Sequence, residues 1–121
     1  NVMPQPGTTG GGGGGTGVGE TDALIDTVSV DGDTIDTSKL MTVFNPVSAP
    51  ITAFIEAFDS VHGLISLSNV STTQGVVIYP LPSDTTTIQG HTCTLLNPGE
   101  SLELLPFDSA YVIKSGKYVA P

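Results

Sequence analysis

The side chains best suited to chemistry in this 121-residue chain are two histidines and a single cysteine. His91 and Cys93 are separated by one residue, so on a β-strand they lie on the same face, as a metal site or a Cys–His pair requires. A zinc site needs more ligands than these two, and the sequence places no further cysteine or histidine beside them. We therefore interpret Cys93 as a small packed residue and His91 as a residue at a strand edge.

Three further patterns suggest chemistry but lack the spacing that it requires. Asp31, Asp33 and Asp36 place carboxylates close together, yet their spacing is not that of an EF-hand loop. Gly17-Val18-Gly19 lacks the third glycine of a dinucleotide-binding loop, and the acids nearby would repel phosphate. Asn69-Val70-Ser71 matches a glycosylation sequon, a short pattern that is common by chance. We predict a non-enzymatic protein with no catalytic, cofactor-binding or metal-binding residues.

The charge of the chain excludes two classes of partner. Twelve acids stand against three lysines and no arginine, which gives a formal net charge of −9. Nucleic acids and anionic membranes both require clustered basic side chains, so we predict that this chain binds neither. Half of the acids, six of twelve, lie between Glu20 and Asp36, where they form either a solvated segment or a docking site for a basic surface.

The pattern of apolar residues predicts an all-β fold. β-branched residues are dense from Leu40 onward, and glycine or proline separates short apolar runs. Strands about 8–12 residues apart indicate an antiparallel β-sandwich, a jelly-roll-like fold or a small barrel. The stretch 51–58 also has apolar residues at helical spacing, so a helix stays an alternative there. The candidate strands are 40–44, 51–57, 63–68, 75–79, 85–88, 92–96, 101–105, 110–114 and 117–120.

Turn signals and composition divide the chain into three parts. Residues 1–20 are predicted to be an extended glycine-rich arm, residues 21–39 an acidic connector, and residues 40–121 the β-sandwich domain. Asp31-Gly32 predicts a hairpin within the connector, and Ser115-Gly116 predicts a second one near the C-terminus. Asn97-Pro98-Gly99 fits a type II turn.

The arm is the most unusual segment of the sequence. Nine of the 15 glycines fall between Gly7 and Gly19. Fixing six glycine backbones costs about 6–12 kcal/mol, and the segment has few side chains to offset that cost. We therefore expect the arm to be held by a partner surface, with Val2 and Met3 as anchors. The glycines of the predicted contact are Gly10, Gly11, Gly12, Gly13, Gly14 and Gly15.

Several candidate strands are apolar on both faces. A sandwich of two sheets usually has one solvated face, so a second apolar face indicates burial by another subunit. The alternative is that the tyrosines in these strands are simply half-exposed. The predicted interface residues are Val77, Tyr79, Leu105 and Tyr111.

A resemblance points to a class of assembly proteins. The segment 97–105, followed by 108–113, resembles a PGES-x-x-L…aromatic-V-I hairpin of tailed-bacteriophage virion proteins, including fibre, head-decoration and cement modules. The resemblance covers roughly residues 72–116. It implies an all-β, trimeric structural protein of the virion whose N-terminal arm grips a neighbour or the shell, with the major capsid protein among its partners. The other readings are a subunit of an extracellular self-assembling filament and a secreted carbohydrate-binding sandwich, the latter disfavoured by the absence of Trp.

Overall fold

The computed structural model describes residues 24–57 and 63–121 of the chain. The predicted arm, with Val2, Met3 and the glycines 10–15, lies outside the described residues. The described residues form nine β-strands. In chain order these are β1 (Ile25–Val28), β2 (Asp33–Ile35), β3 (Met41–Phe44), β4 (Ile51–Ile55), β5 (Ile65–Asn69), β6 (Val76–Pro80), β7 (Thr94–Leu96), β8 (Ser101–Phe107) and β9 (Ala110–Ser115).

The strands follow the alternation of their side chains. In β4, Ile51, Ala53 and Ile55 are buried, whereas Thr52 and Phe54 between them are half-buried. A period of two is the pattern of a strand packed on one face, so the strand prediction for this stretch is confirmed and the helical alternative is wrong. β5 and β6 repeat the same burial pattern.

The strands form two mixed sheets. Sheet 1 has the order β1-β3-β5-β8-β9, and sheet 2 has the order β2-β4-β6-β7. The prediction of antiparallel pairing is wrong for the first six strands, because β1, β3 and β5 are parallel, as are β2, β4 and β6. The physical reason is that the chain crosses to the opposite sheet after each of the first five strands. A strand therefore returns to its own sheet only after a crossover, which permits parallel neighbours.

Antiparallel pairing appears in the last third of the chain. β6 pairs with β7, β5 with β8, and β8 with β9. The predicted turn at residues 97–99 is confirmed, since the N–H of Glu100 donates to the carbonyl of Asn97 at 3.0 Å and Gly99 has a φ of 79°. This turn joins β7 in sheet 2 to β8 in sheet 1.

Two predicted hairpins and two predicted strands, 85–88 and 117–120, are wrong. The strands on either side of Asp31-Gly32 lie in different sheets, so that turn is a crossover. The residues after Gly116 leave β9 and lie beside β7, where the N–H of Leu95 donates to the carbonyl of Val119 at 2.9 Å. The predicted strand 85–88 contributes only isolated bridges at Ile88.

Both sheets turn their buried faces toward one hydrophobic core. Phe44 and Leu104 of sheet 1 and Ile55 and Ile78 of sheet 2 are fully buried in it. β1 and β2, which come from the predicted connector 21–39, pack against the same core. The all-β prediction is confirmed. Among the described residues the strands form two sheets and no closed barrel, and a jelly roll with antiparallel neighbours does not describe them.

Candidate assembly interface

The outer face of sheet 2 carries two of the predicted interface residues. Val77 and Tyr79 alternate with the buried residues of β6 and are half-buried. Tyr79 lies directly opposite Phe54 of β4, and the two ring centroids are 5.9 Å apart with an interplanar angle of 31°. Leu95 of β7 lies opposite Val77. These four side chains form an uncharged patch, which we call the sheet-2 face.

His91 and Cys93 border the sheet-2 face but have different partners. The Cys93 side chain hydrogen-bonds with Tyr79 and thereby raises the pKa of the Tyr79 hydroxyl above its ordinary value. The His91 ring stacks on Tyr118, with centroids 3.6 Å apart and an interplanar angle of 7°. Within residues 24–57 and 63–121, no group of three His, Cys, Asp or Glu side chains is placed to hold a metal ion.

The other two predicted interface residues lie in sheet 1, in different environments. Leu105 pairs with Val112 and is half-buried on the outer side of the sheet. Tyr111 is 1% exposed and belongs to the core. Its burial, together with the charge of Glu56, raises the pKa of its hydroxyl to about 12. A core side chain presents no surface to another subunit, so the structure removes Tyr111 from the candidate interface.

The acidic residues around Asp31 hold the loops of the fold together. The carboxylate of Asp31 accepts a hydrogen bond from the N–H of Thr52 at 2.7 Å, and that of Asp26 accepts one from the N–H of Asp36 at 2.9 Å. Hydrogen bonds from the hydroxyl and N–H of Ser38 hold the pKa of Asp36 below its ordinary value. These contacts give the carboxylates a structural role as acceptors for backbone N–H groups.

The sequon asparagine is a second structural element. Asn69 is 1% exposed. Its amide nitrogen donates to the carbonyls of Gln74 and Leu96, at 2.9 and 3.1 Å, and its amide oxygen accepts from the N–H of Ser71 at 3.0 Å. In the folded chain this side chain is enclosed and fully engaged, so it does not offer a glycosylation site.

Each sheet has an edge strand on either side, β1 and β9 in sheet 1 and β2 and β7 in sheet 2. The two sides differ in how these edge strands are covered. At one end, the edge of β9 is bridged by Thr87 and Gln89, which exchange backbone hydrogen bonds with Tyr111 at 2.9 and 2.8 Å. The edge of β7 there is met by Val119. At the other end, no described strand pairs with the outer edge of β1 or of β2. We call this the open end, and no pattern in the sequence indicated it.

No match to this chain was found among protein-family models, curated proteins or solved structures. In the described part of the chain, no helix has the length and apolarity to cross a membrane.

Proposed function

We propose that this chain is a non-enzymatic structural protein of a virus particle, a capsid decoration, cement or fibre module. In this proposal it attaches to the particle through its N-terminal arm and forms a homo-oligomer, a trimer. Its partners are further copies of itself and other virion proteins, such as the major capsid protein, and its place is the virion. The resemblance to phage modules motivates this choice. The resembling segment folds as the β7–β8 turn and the β8–β9 hairpin.

The observation that carries the proposal is the open end. β1 and β2 are the terminal strands of their sheets, and both lie in the predicted connector 21–39, which follows the arm in sequence. A strand edge without a neighbour presents backbone donors and acceptors on which an extended chain can add. An assembly protein that meets its particle beside its arm would use this end of the fold.

The same open end supports a second candidate, an extracellular self-assembling filament. If the open end of one copy accepts a segment of the next, the contacts run head to tail and growth has no limit. A decoration or cement protein instead forms a closed oligomer of fixed size. The two functions therefore differ in how their mass depends on concentration.

Deletion of residues 1–19 tests the proposal. We expect the truncated chain to stay folded by circular dichroism and to lose attachment to empty shells in a co-sedimentation assay. A matched control replaces the glycines 10–15 with serines and so keeps the length of the arm. Retained attachment of the truncated chain would contradict the role of the arm. Light scattering on the intact chain separates the candidates, since a discrete trimer supports the virion module and unlimited growth supports the filament.

A further inference from the structure

Three crossover loops lie side by side at one end of sheet 1. They join β1 to β2 (residues 29–32), β3 to β4 (45–50) and β5 to β6 (70–75). The parallel register aligns the last residues of the three strands, so their loops leave the sheet as neighbours. Each loop presents one exposed valine: Val30 is 65% exposed, Val47 76% and Val70 50%. We call these three side chains the valine row.

The loops that carry the valine row are fixed to one another. The N–H of Asn45 donates to the carbonyl of Val28 at 3.3 Å, and the N–H of Val70 donates to the carbonyl of Phe44 at 2.9 Å. The hydroxyl of Ser71 donates to the carbonyl of Pro46 at 2.7 Å. A surface that is already ordered loses little conformational entropy on binding, which favours its use in recognition.

Single exposed apolar residues are normal on protein surfaces and need no partner. The valine row differs because its members recur once per crossover and lie on adjacent loops. Strands in a sheet are about 4.8 Å apart, so the loops that carry the three valines leave the sheet close together.

Electrostatics indicates what covers the valine row. The three loops contain one charged residue, Asp31, whose carboxylate already accepts the Thr52 N–H at 2.7 Å. Glu100 of the turn between β7 and β8 lies beside the β5–β6 loop, since its carbonyl accepts the N–H of Asn69 at 2.9 Å, and its carboxylate already accepts the N–H of Asn97 at 3.0 Å. The chain as a whole carries a formal charge of −9, so two copies repel each other wherever acidic surfaces meet. They approach at lower cost through a surface on which the two carboxylates already accept backbone N–H groups. A basic protein or peptide would gain little here, because the loops offer it one carboxylate.

We propose that the valine row is the surface on which a second copy of this chain docks, with the rows of neighbouring copies meeting around the symmetry axis of the oligomer. This inference rests on the homo-oligomer of the proposed function and names the residues that form it. Burial of the valines removes apolar surface from water, and the scarcity of charge keeps the electrostatic repulsion low.

Sedimentation velocity on the full chain tests the inference. We expect the wild-type protein to associate with rising concentration and Val47→Asp to weaken that association by about tenfold or more, since a buried valine is lost and a charge must be desolvated. The matched control is Leu40→Asp, which alters a residue that is 70% exposed at the opposite end of sheet 1. We expect it to associate as the wild type does. Val30→Asp serves as a second variant if circular dichroism shows Val47→Asp to be unfolded.

Three results would overturn the inference: a wild type that stays monomeric, a Val47→Asp variant that associates normally, or an equal loss of association in Val47→Asp and in the control Leu40→Asp. A shell-binding assay distinguishes a failure of this inference from a failure of the proposed function. If Val47→Asp leaves the oligomer intact while the arm deletion abolishes attachment, the inference fails and the proposed function stands. If Val47→Asp dissociates the oligomer and the wild type never binds shells, the inference stands and the virion function fails.

Discussion

Replacement of Asn69, the last residue of β5, by alanine should destabilise the fold strongly. The Asn69 side chain is 1% exposed and makes three hydrogen bonds. They connect the end of β5 to the following loop at Gln74 and Ser71, and to β7 at Leu96. The substitution thus removes the hydrogen bonds by which the Asn69 side chain connects sheet 1 to sheet 2, at the end of sheet 1 that carries the crossover loops.

The expected loss of unfolding free energy follows from the number of hydrogen bonds that the Asn69 side chain makes. Each hydrogen bond contributes about 0.5–1.5 kcal/mol net, and buried partners left unsatisfied add to the loss. Loss of all three by Asn69→Ala should therefore cost about 3 kcal/mol of unfolding free energy. For a domain of this size, that corresponds to a decrease of roughly 10–20 °C in the melting temperature.

Urea denaturation followed by far-ultraviolet circular dichroism measures this loss. The matched control is Asn45→Ala, because Asn45 is an exposed asparagine on the neighbouring loop. We expect that control to change the unfolding free energy by less than about 0.5 kcal/mol. A loss for Asn69→Ala as small as that of the control would refute the assignment of Asn69 as a buried link between the sheets.

Two further predictions concern the backbone and a buried hydroxyl. Gly116 has a φ of 95°, and a Cβ there would lie 2.7 Å from the carbonyl oxygen of Ser101, so Gly116→Ala should cost about 1–3 kcal/mol in a thermal melt. Gly90→Ala, with a φ of 83° and nothing within 4 Å, should cost less, and equal losses would contradict the steric argument. Because the pKa of Tyr111 is raised to about 12, its hydroxyl ionises first in the unfolded chain, so stability should fall as pH rises from about 10 to about 12. Tyr111→Phe should show a shallower fall over that range, and an unchanged slope would contradict the prediction.

Local patterns in the sequence predicted individual strands well. The stretch Ile51–Ile55 alternates between buried and half-buried side chains as its sequence indicated, and the turn at residues 97–99 forms where proline and glycine placed it. These features depend on the pleat of a strand and on the φ preferences of single residues. Both depend on only a few neighbouring residues, so a local sequence pattern can predict them.

Strand partners could not be predicted in the same way. Asp31-Gly32 is a strong hairpin signal, yet the flanking strands pair with β3 and β4 and not with each other. A positive φ at Gly32, 86° here, reverses the chain equally well within a hairpin or between two sheets. What decides between them is the burial of Val28 and Ile35 in a common core, which is a property of the whole fold.

The placement of the candidate interface residues could be predicted only in part for a related reason. Val77 and Tyr79 lie on the outer face of sheet 2, as apolar residues on both faces of their strand indicated. Tyr111 showed the same pattern but is buried, because its side chain belongs to the core between the two sheets. A strand that is apolar on both faces can be covered by its own chain or by another, and composition alone does not separate the two.

The alternation of the chain between two sheets produces both the open end and the valine row. Because each crossover from sheet 1 to sheet 2 leaves at the same end of the strands, each additional pair of strands adds one loop beside the previous one, while β1 and β2 stay at the edges of their sheets without a described strand beside them. Antiparallel strands at the far end stop this progression, since β7 and β9 are met by Val119 and by residues 87–89. The fold therefore presents two distinct features, the open end formed by the edges of β1 and β2 and the row of crossover loops that carries the three valines. A protein that binds a particle through one and its own copies through the other would require both, and loss of one by mutation should leave the other functional.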